Sequence, residues 1–262
     1  MNRKLGIKSS CLSETPSLTA LPLIKSAGFD AFFNEIIAID DVAQIKNEAE
    51  KLGLLYESIH APTKNINSMW TPGDDYLTIF DGMKTAIESA GKCNIPIVVI
   101  HLSSGWQPPH INDLGISRYE VLMDIAEKNT VTLAFENLRK VGNIALFVDR
   151  YEKNDHVRFC YDCGHEHCYT KTVSWPDIFT DRIVYTHIHD NFGIKEKYQE
   201  GTDLHLIPFE GNINYADVMR RLNKYNYQGS LNLEVYNFRH LDMPHEDFLA
   251  TCYERIKKIS EM

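Results

Sequence analysis

The chain has 262 residues, 44% of them hydrophobic, with 27 basic against 36 acidic side chains and a formal net charge of −9. That length suits one large core, since α/β barrels of about 250 residues commonly form a single domain, and the acidic balance lacks the basic footprint by which proteins neutralise nucleic-acid phosphates. Six cysteines (Cys11, Cys93, Cys160, Cys163, Cys168, Cys252) form no small-domain disulfide framework, and the polar start MNRKLGIKSSCLSETP, with Ile95 to Ile100 as the longest apolar run, predicts a soluble cytoplasmic protein without a bilayer span.

Short apolar runs, each leading to a chemically capable residue, alternate with segments of helical length. Leu5-Gly-Ile-Lys leads to Ser9, Phe29 to Phe33 leads to Glu35, Leu54 to Ile59 leads to His60, and Ile95 to Ile100 leads to His101. In the second half Val131 to Phe135 leads to Glu136, Val157 to Tyr161 to Asp162, Ile183 to Thr186 to His187, and Leu231 to Leu233 to Glu234. These end residues lie 25 to 47 positions apart, room for a strand, a crossover helix and two loops. Thr71-Pro72 predicts a helix over Asp74 to Lys92 with acids in its first turn. Asn214 opens another over Tyr215 to Tyr225, and Pro244 opens the last, with Phe248 and Ile256 on its buried side. Gly28, Gly53 and Gly91 stand where a helix C-cap needs positive φ.

Eight βα units without a linker or low-complexity break predict one (β/α)8 barrel domain over residues 1–262. A doubly wound open sheet is the alternative, disfavoured because no Gly-rich phosphate turn follows the first strand. In a barrel all strand C-terminal ends face one mouth, so Glu35, His60, His101, Glu136, Asp162, His165, His187 and Glu234 are expected to share a pocket. Glu136, Asp162, His187 and Glu234 end four consecutive strands. Three carboxylates and an imidazole make an oxygen-rich ligand set for one divalent ion, Mn²⁺, Mg²⁺, Co²⁺ or Zn²⁺, with His189 as the alternative imidazole.

The ordered set Ala134-Phe-Glu136-Asn137, Tyr161-Asp162-Cys-Gly-His165, His187-Ile-His189-Asp190-Asn191, Asp203-Leu-His205 with Glu210-Gly211-Asn-Ile, and Leu233-Glu234 resembles the xylose isomerase-like barrels. These include sugar epimerases, hydroxypyruvate isomerase, inosose dehydratase and the apurinic-site endonucleases. The resemblance implies a divalent metal on the residues matching Glu136, Asp162, His187 and Glu234, with both glutamates also moving protons. A metal-dependent isomerase or epimerase of a sugar, sugar phosphate or hydroxy-ketone is therefore the leading expectation, with Glu136 and Glu234 as bases and His165 bonding a substrate oxygen. A homo-oligomer is compatible with it.

In the endonuclease branch the resemblance implies a three-zinc site that also uses residues matching His60, His101, His165, Asp203 and His205. A multi-zinc phosphodiesterase is thus the second reading, weakened by the short segment after Glu35, which carries no Arg or Lys to grip a duplex. A dehydratase-like lyase and an inactive metal-binding barrel complete the alternatives. Trp70 and Trp106, downstream of His60 and His101, are expected to stack on a sugar face, and Trp175 to pack a helix start. Arg239 is a candidate for a substrate phosphate or carboxylate, or else a surface ion pair. The cysteines read as structural thiols, and His110 and His167 as solvent or loop residues.

Overall fold

The computed structural model describes residues 3–196 and 201–262. Eight strands occur in it: β1 (Leu5–Lys8), β2 (Ala31–Asn34), β3 (Leu55–His60), β4 (Ile97–Ile100), β5 (Thr132–Glu136), β6 (Val157–Asp162), β7 (Ile183–Ile188) and β8 (Leu231–Leu233). They are hydrogen-bonded in sequence order into a closed barrel, with Leu5 opposite Leu231 and Ile7 opposite Leu233 where β8 meets β1 in parallel. The expected (β/α)8 barrel is the fold observed. Buried on both faces, its strands read as apolar runs, as in Val98-Val99-Ile100, all fully buried.

Between them run α1 (Ser17–Ala27), α2 (Ile39–Leu52), α3 (Leu77–Lys92), α4 (Asp113–Lys128), α5 (Val141–Arg150), α6 (Cys163–Tyr169), α7 (Trp175–Phe179), α8 (Tyr215–Lys224) and α9 (His245–Ser260). Gly28 caps α1 with φ 107° and Gly53 follows α2 with φ 66°, as expected. The Asn214 side chain caps α8 by accepting from the Asp217 N–H at 3.1 Å. Pro244 precedes α9, and Phe248 and Ile256 are fully buried.

Two expectations need correction. The third helix begins at Leu77 rather than Asp74 and has no acid in its first turn. Asp74 and Asp75 belong instead to the turn before it, closed by the Leu77 N–H on the Asp74 carbonyl at 3.0 Å, and the helical ladder starts with the Phe80 N–H on the Tyr76 carbonyl at 2.9 Å. Gly91 is not a cap but the penultimate residue of α3; a Cβ there would lie 2.6 Å from the Asn129 Cβ, so close packing, not left-handed backbone, requires glycine. Among the described residues no helix is long and apolar enough to cross a membrane.

By internal contacts the chain forms two compact units, one of residues up to Asn34, Ile45–Tyr56 and Tyr161–Met262, the other of Glu35–Gln44 and Glu57–Cys160.

Candidate functional site

In the unit that contains β7 and β8, the site is built on Asp162. It ends β6 and caps α6, its Oδ1 accepting the His165 backbone N–H at 2.6 Å. The cap fixes the first turn of α6 and turns His165 toward the loop, where its Nε2 lies 3.1 Å from Asp203 Oδ2. β7 delivers His187, fully buried and stacked on Phe33 with centroids 4.8 Å apart. Its Nδ1 stands 3.3 Å from Glu234 Oε2 and 3.9 Å from Asp162 Oδ2.

Two residues on, His189 lies on the same side of the extended chain. Its Nε2 is 3.2 Å from Asp162 Oδ1 and 3.7 Å from Asp203 Oδ1, and its ring stacks on His205 at 4.0 Å. That ring fits only because residue 164 is glycine: a Cβ there would lie 2.0 Å from His189 Cε1. His205 itself takes φ 45°, uncommon for a residue with a side chain, and is pinned by Nδ1 at 2.7 Å from the Glu234 carbonyl oxygen. A carbonyl only accepts, so Nδ1 carries the hydrogen, and Nε2 faces Asp203 Oδ1 at 3.4 Å. Burial disfavours the charged imidazolium, yet the Asp203 carboxylate outweighs it and raises the His205 pKa to about 9. Burial would raise the Asp203 carboxyl, but His165 and His205 hold it well below the usual range.

Asp190 has a different task from the one its motif suggests. Its Oδ1 accepts from the N–H groups of Asn191 and Ile213, and its Oδ2 from that of Phe209, while its backbone pairs with Leu206. The carboxylate is spent on tying the loop after β7 to its own base.

β8 ends beside Glu234, and here the structure adds a residue that the sequence reading passed over. Lys8, the last residue of β1, is fully buried with Nζ 3.2 Å from Glu234 Oε1, hydrogen-bonded to the Tyr236 hydroxyl and 4.6 Å from the centre of that ring. A lysine closing an apolar strand run, with a glutamate at the end of the strand that neighbours it, is the signal that was available.

In the other unit Glu136 gathers both imidazoles expected near it. His60 Nε2 is 3.3 Å and His101 Nε2 2.8 Å from Glu136 Oε2. His60 Nδ1 is 2.8 Å from the Ala61 carbonyl, so in the neutral ring Nε2 presents a lone pair to a carboxylate, an arrangement that needs a second proton or a cation. Glu35 is exposed. Trp70 is 2% exposed, stacked on Tyr119 with its indole N–H on the Leu102 carbonyl. It is a core residue and not the expected sugar platform, because Gly115 leaves space for the indole to turn inward. Trp106 is half-buried beneath the Arg139 guanidinium.

Arg239 is exposed and lies over the Phe238 ring. Trp175 packs at the start of α7 against Phe179. All six cysteines are free and buried, and burial pushes the Cys163 thiol up, as expected of structural thiols. His110 is exposed, and His167 bonds Asn212 at 2.7 Å.

The residues suit a divalent cation. His189 is fully buried, and among the described residues neither of its nitrogens has a hydrogen-bond partner. Buried polar atoms without partners are costly unless something else meets them. The ligand atoms of His165, His189, Asp203 and His205 lie within 4.8 Å of one another, as do those of His60, His101 and Glu136.

A sequence model described as xylose isomerase-like TIM barrel matches residues 21–255. The chain belongs to that family. Among individual proteins, an uncharacterized protein of Sinorhizobium fredii is 35% identical over 169 residues, 58% of this chain. The alignments take in 51% and 64% of the lengths of two such curated relatives, so this chain spans only part of each. Two solved structures of the family's fold are similar over nearly the whole chain. A D-tagatose 3-epimerase-like protein has a TM-score of 0.76 at 21% identity, covering 98% of this chain and 97% of its own. D-psicose 3-epimerase of Clostridium cellulolyticum has a TM-score of 0.75 at 14% identity, covering 97% and 98%.

Proposed function

We propose that this chain is a divalent-metal-dependent sugar epimerase or isomerase that works by proton transfer through an enediolate. The observation that carries the reading is the setting of Glu234: a buried carboxylate at a strand end, with Lys8 on Oε1 and the Oε2 edge 3.3 Å from His187 Nδ1, beside Asp162. Glu136, which stands opposite Cys160 in the β5–β6 register two residues before Asp162, completes the proposed ligand set of Glu136, Asp162, His187 and Glu234. Family membership and the epimerase names of the structural neighbours support the same class.

A bound divalent ion would supply Lewis-acid stabilisation of the charge that develops on a ketose oxygen. The chain's own residues do the rest. One glutamate accepts the proton as the C–H bond next to the carbonyl breaks; its electron pair becomes the C=C bond, and the carbonyl pair moves onto oxygen. The second glutamate returns a proton to the opposite face, which inverts the carbon. In this reading His165, whose ring nitrogens face Asp162 and Asp203, orients a substrate hydroxyl. The whole chain acts as one domain in this reading, and six free, buried thiols fit a cytoplasmic setting.

The test is conversion of neutral and phosphorylated ketoses by metal-replete protein, followed as exchange of the substrate's carbon-bound hydrogen with D₂O. Absence of exchange across both panels would end the proposal.

One observation favours a second reading, a multi-zinc phosphodiesterase: the two further clusters, His60–His101–Glu136 and His165–His189–Asp203–His205, each have ligand atoms close enough to hold an ion. Two or three zinc ions per chain together with cleavage of abasic DNA would decide for it.

A further inference from the structure

We infer that Tyr236 donates a hydrogen bond to the substrate oxygen where negative charge gathers, and that Lys8 is the positioning residue that holds it there. This rests on the epimerase or isomerase reading, which it deepens by naming a further group for the same reaction.

Lys8 is an odd residue for its place. The interior of a parallel barrel is ordinarily filled by branched apolar side chains, and burying an ammonium is strongly unfavourable unless it is paired and hydrogen-bonded. Here it is 0% exposed and it is paired: Glu234 Oε1 at 3.2 Å and the Tyr236 hydroxyl are both on the one nitrogen. An ammonium has three donors and no acceptor, so in both contacts it gives the hydrogen and the Tyr236 oxygen receives it. The phenol's own hydrogen is thereby directed away from Lys8. Donation from a cation also polarises the O–H bond, making the phenol a stronger donor.

Position follows from the same nitrogen. The Glu234 and Tyr236 oxygens share it, so they are at most two hydrogen-bond lengths apart, about 6 Å. A carbon whose proton Glu234 moves sits about 3 Å from the carboxylate, and its own or the adjacent oxygen is one or two bonds farther on, within reach of the Tyr236 hydroxyl. Tyr236 lies two residues after Glu234, hence on the same side of the extended segment. It is half-buried, whereas Lys8 is covered, so the phenol is the member of the pair that can meet a ligand. Its ring is set edge-on to His205, centroids 5.5 Å apart, which limits its swing.

The pair is tested with Tyr236→Phe, Lys8→Met and the double variant, all Mn²⁺-loaded. Turnover of D-tagatose and D-psicose is read as kcat and KM separately, and binding of glycolohydroxamate, an enediolate mimic, is read by calorimetry. Tyr236→Phe keeps the ring and removes one oxygen; it is expected to lower kcat about 100-fold, as loss of one charge-stabilising donor does, with KM within threefold and hydroxamate bound at least tenfold more weakly. Lys8→Met should match it, and the double variant should add little, because the two act as a unit. Unchanged hydroxamate affinity in Tyr236→Phe, or no hydroxamate binding by the unaltered protein, overturns the inference, as does a loss that merely follows falling manganese content. If Lys8→Met does not fold, Tyr236→Phe alone decides. Hydroxamate binding in the expected pattern with no ketose turned over would keep the pair and overturn the sugar reading instead.

Discussion

The imidazoles of His189 and His205 lie ring on ring, centroids 4.0 Å and planes 15° apart, and each has Nε2 within 3.7 Å of Asp203 Oδ1. Two stacked bases facing one carboxylate oxygen define how this part of the site must respond to protons and to metal.

In the metal-free protein His205 should titrate near pH 9, raised by Asp203 against the effect of burial. A raised pKa means the folded state binds the proton more tightly than the unfolded chain does. The stability it contributes is complete below about pH 6.5 and fades as pH rises through about 9. NMR titration of the ring, set against thermal melts between pH 6 and 10, checks this; a His205 midpoint below 7 would contradict it. Added zinc or manganese must compete with that proton, so apparent affinity should rise over the same interval.

Glu136→Gln and Glu234→Gln should each abolish ketose turnover while far-UV circular dichroism stays unchanged, because each removes a base at nearly constant volume. Metal content should fall in both and has to be measured on the same samples. Activity retained by either variant would refute the two-base scheme.

Metal analysis by mass spectrometry separates the two reaction classes. One equivalent should restore ketose turnover, with abasic DNA left uncut. Two or three equivalents with phosphodiester cleavage would transfer His60, His101, His165, Asp203 and His205 from supporting roles to ligands.

Arg221 and Glu166 make a buried bidentate pair, Nη2 to Oε1 at 2.7 Å and Nη1 to Oε2 at 3.0 Å, that joins α8 to the helix carrying His165. Arg221→Met leaves Glu166 without its cation and should cost about 3–5 kcal/mol of stability. A chemical-denaturation midpoint within error of the unaltered protein would show the pair to be dispensable.

Trp70→Phe tests the reassignment of that indole from the sugar face to the core. It removes the bond to Leu102 and leaves a gap against Gly115 and Tyr119, for about 1–3 kcal/mol. KM for the ketose should stay within twofold; a tenfold rise would restore Trp70 to the binding site.

The barrel was legible because each strand is an apolar run stopped by one polar residue, and in a parallel barrel those stops fall at the same end. Glu136, Asp162, His187 and Glu234 stand out as candidates by that position. What remained hidden depended on partners far along the chain. Lys8 passes for a solvated strand end until Glu234, 226 positions away, is seen beside it. Trp70 follows His60 in sequence, but its direction is settled by the bare face of Gly115. Asp190 has a ligand's chemistry and neighbours, yet three backbone N–H groups of its own loop claim it. The start of α3 falls at Leu77 because a separate turn from Asp74 precedes it, which Thr71-Pro72 does not announce.

The contact between Gly164 and His189 also orders the ways in which this site can change. With an imidazole at 189, a Cβ at 164 would lie 2.0 Å from Cε1, 2.3 Å from Nε2 and 2.4 Å from Nδ1, so the ring itself is what keeps 164 a glycine. Any pair of substitutions here therefore has an order: a side chain placed at 164 first meets the imidazole at 2.0–2.4 Å, whereas truncating His189 first removes those atoms. A β6–α6 segment grafted in with any side chain at 164 should accordingly fail on account of residue 189, beyond the end of β7, however well the grafted segment folds.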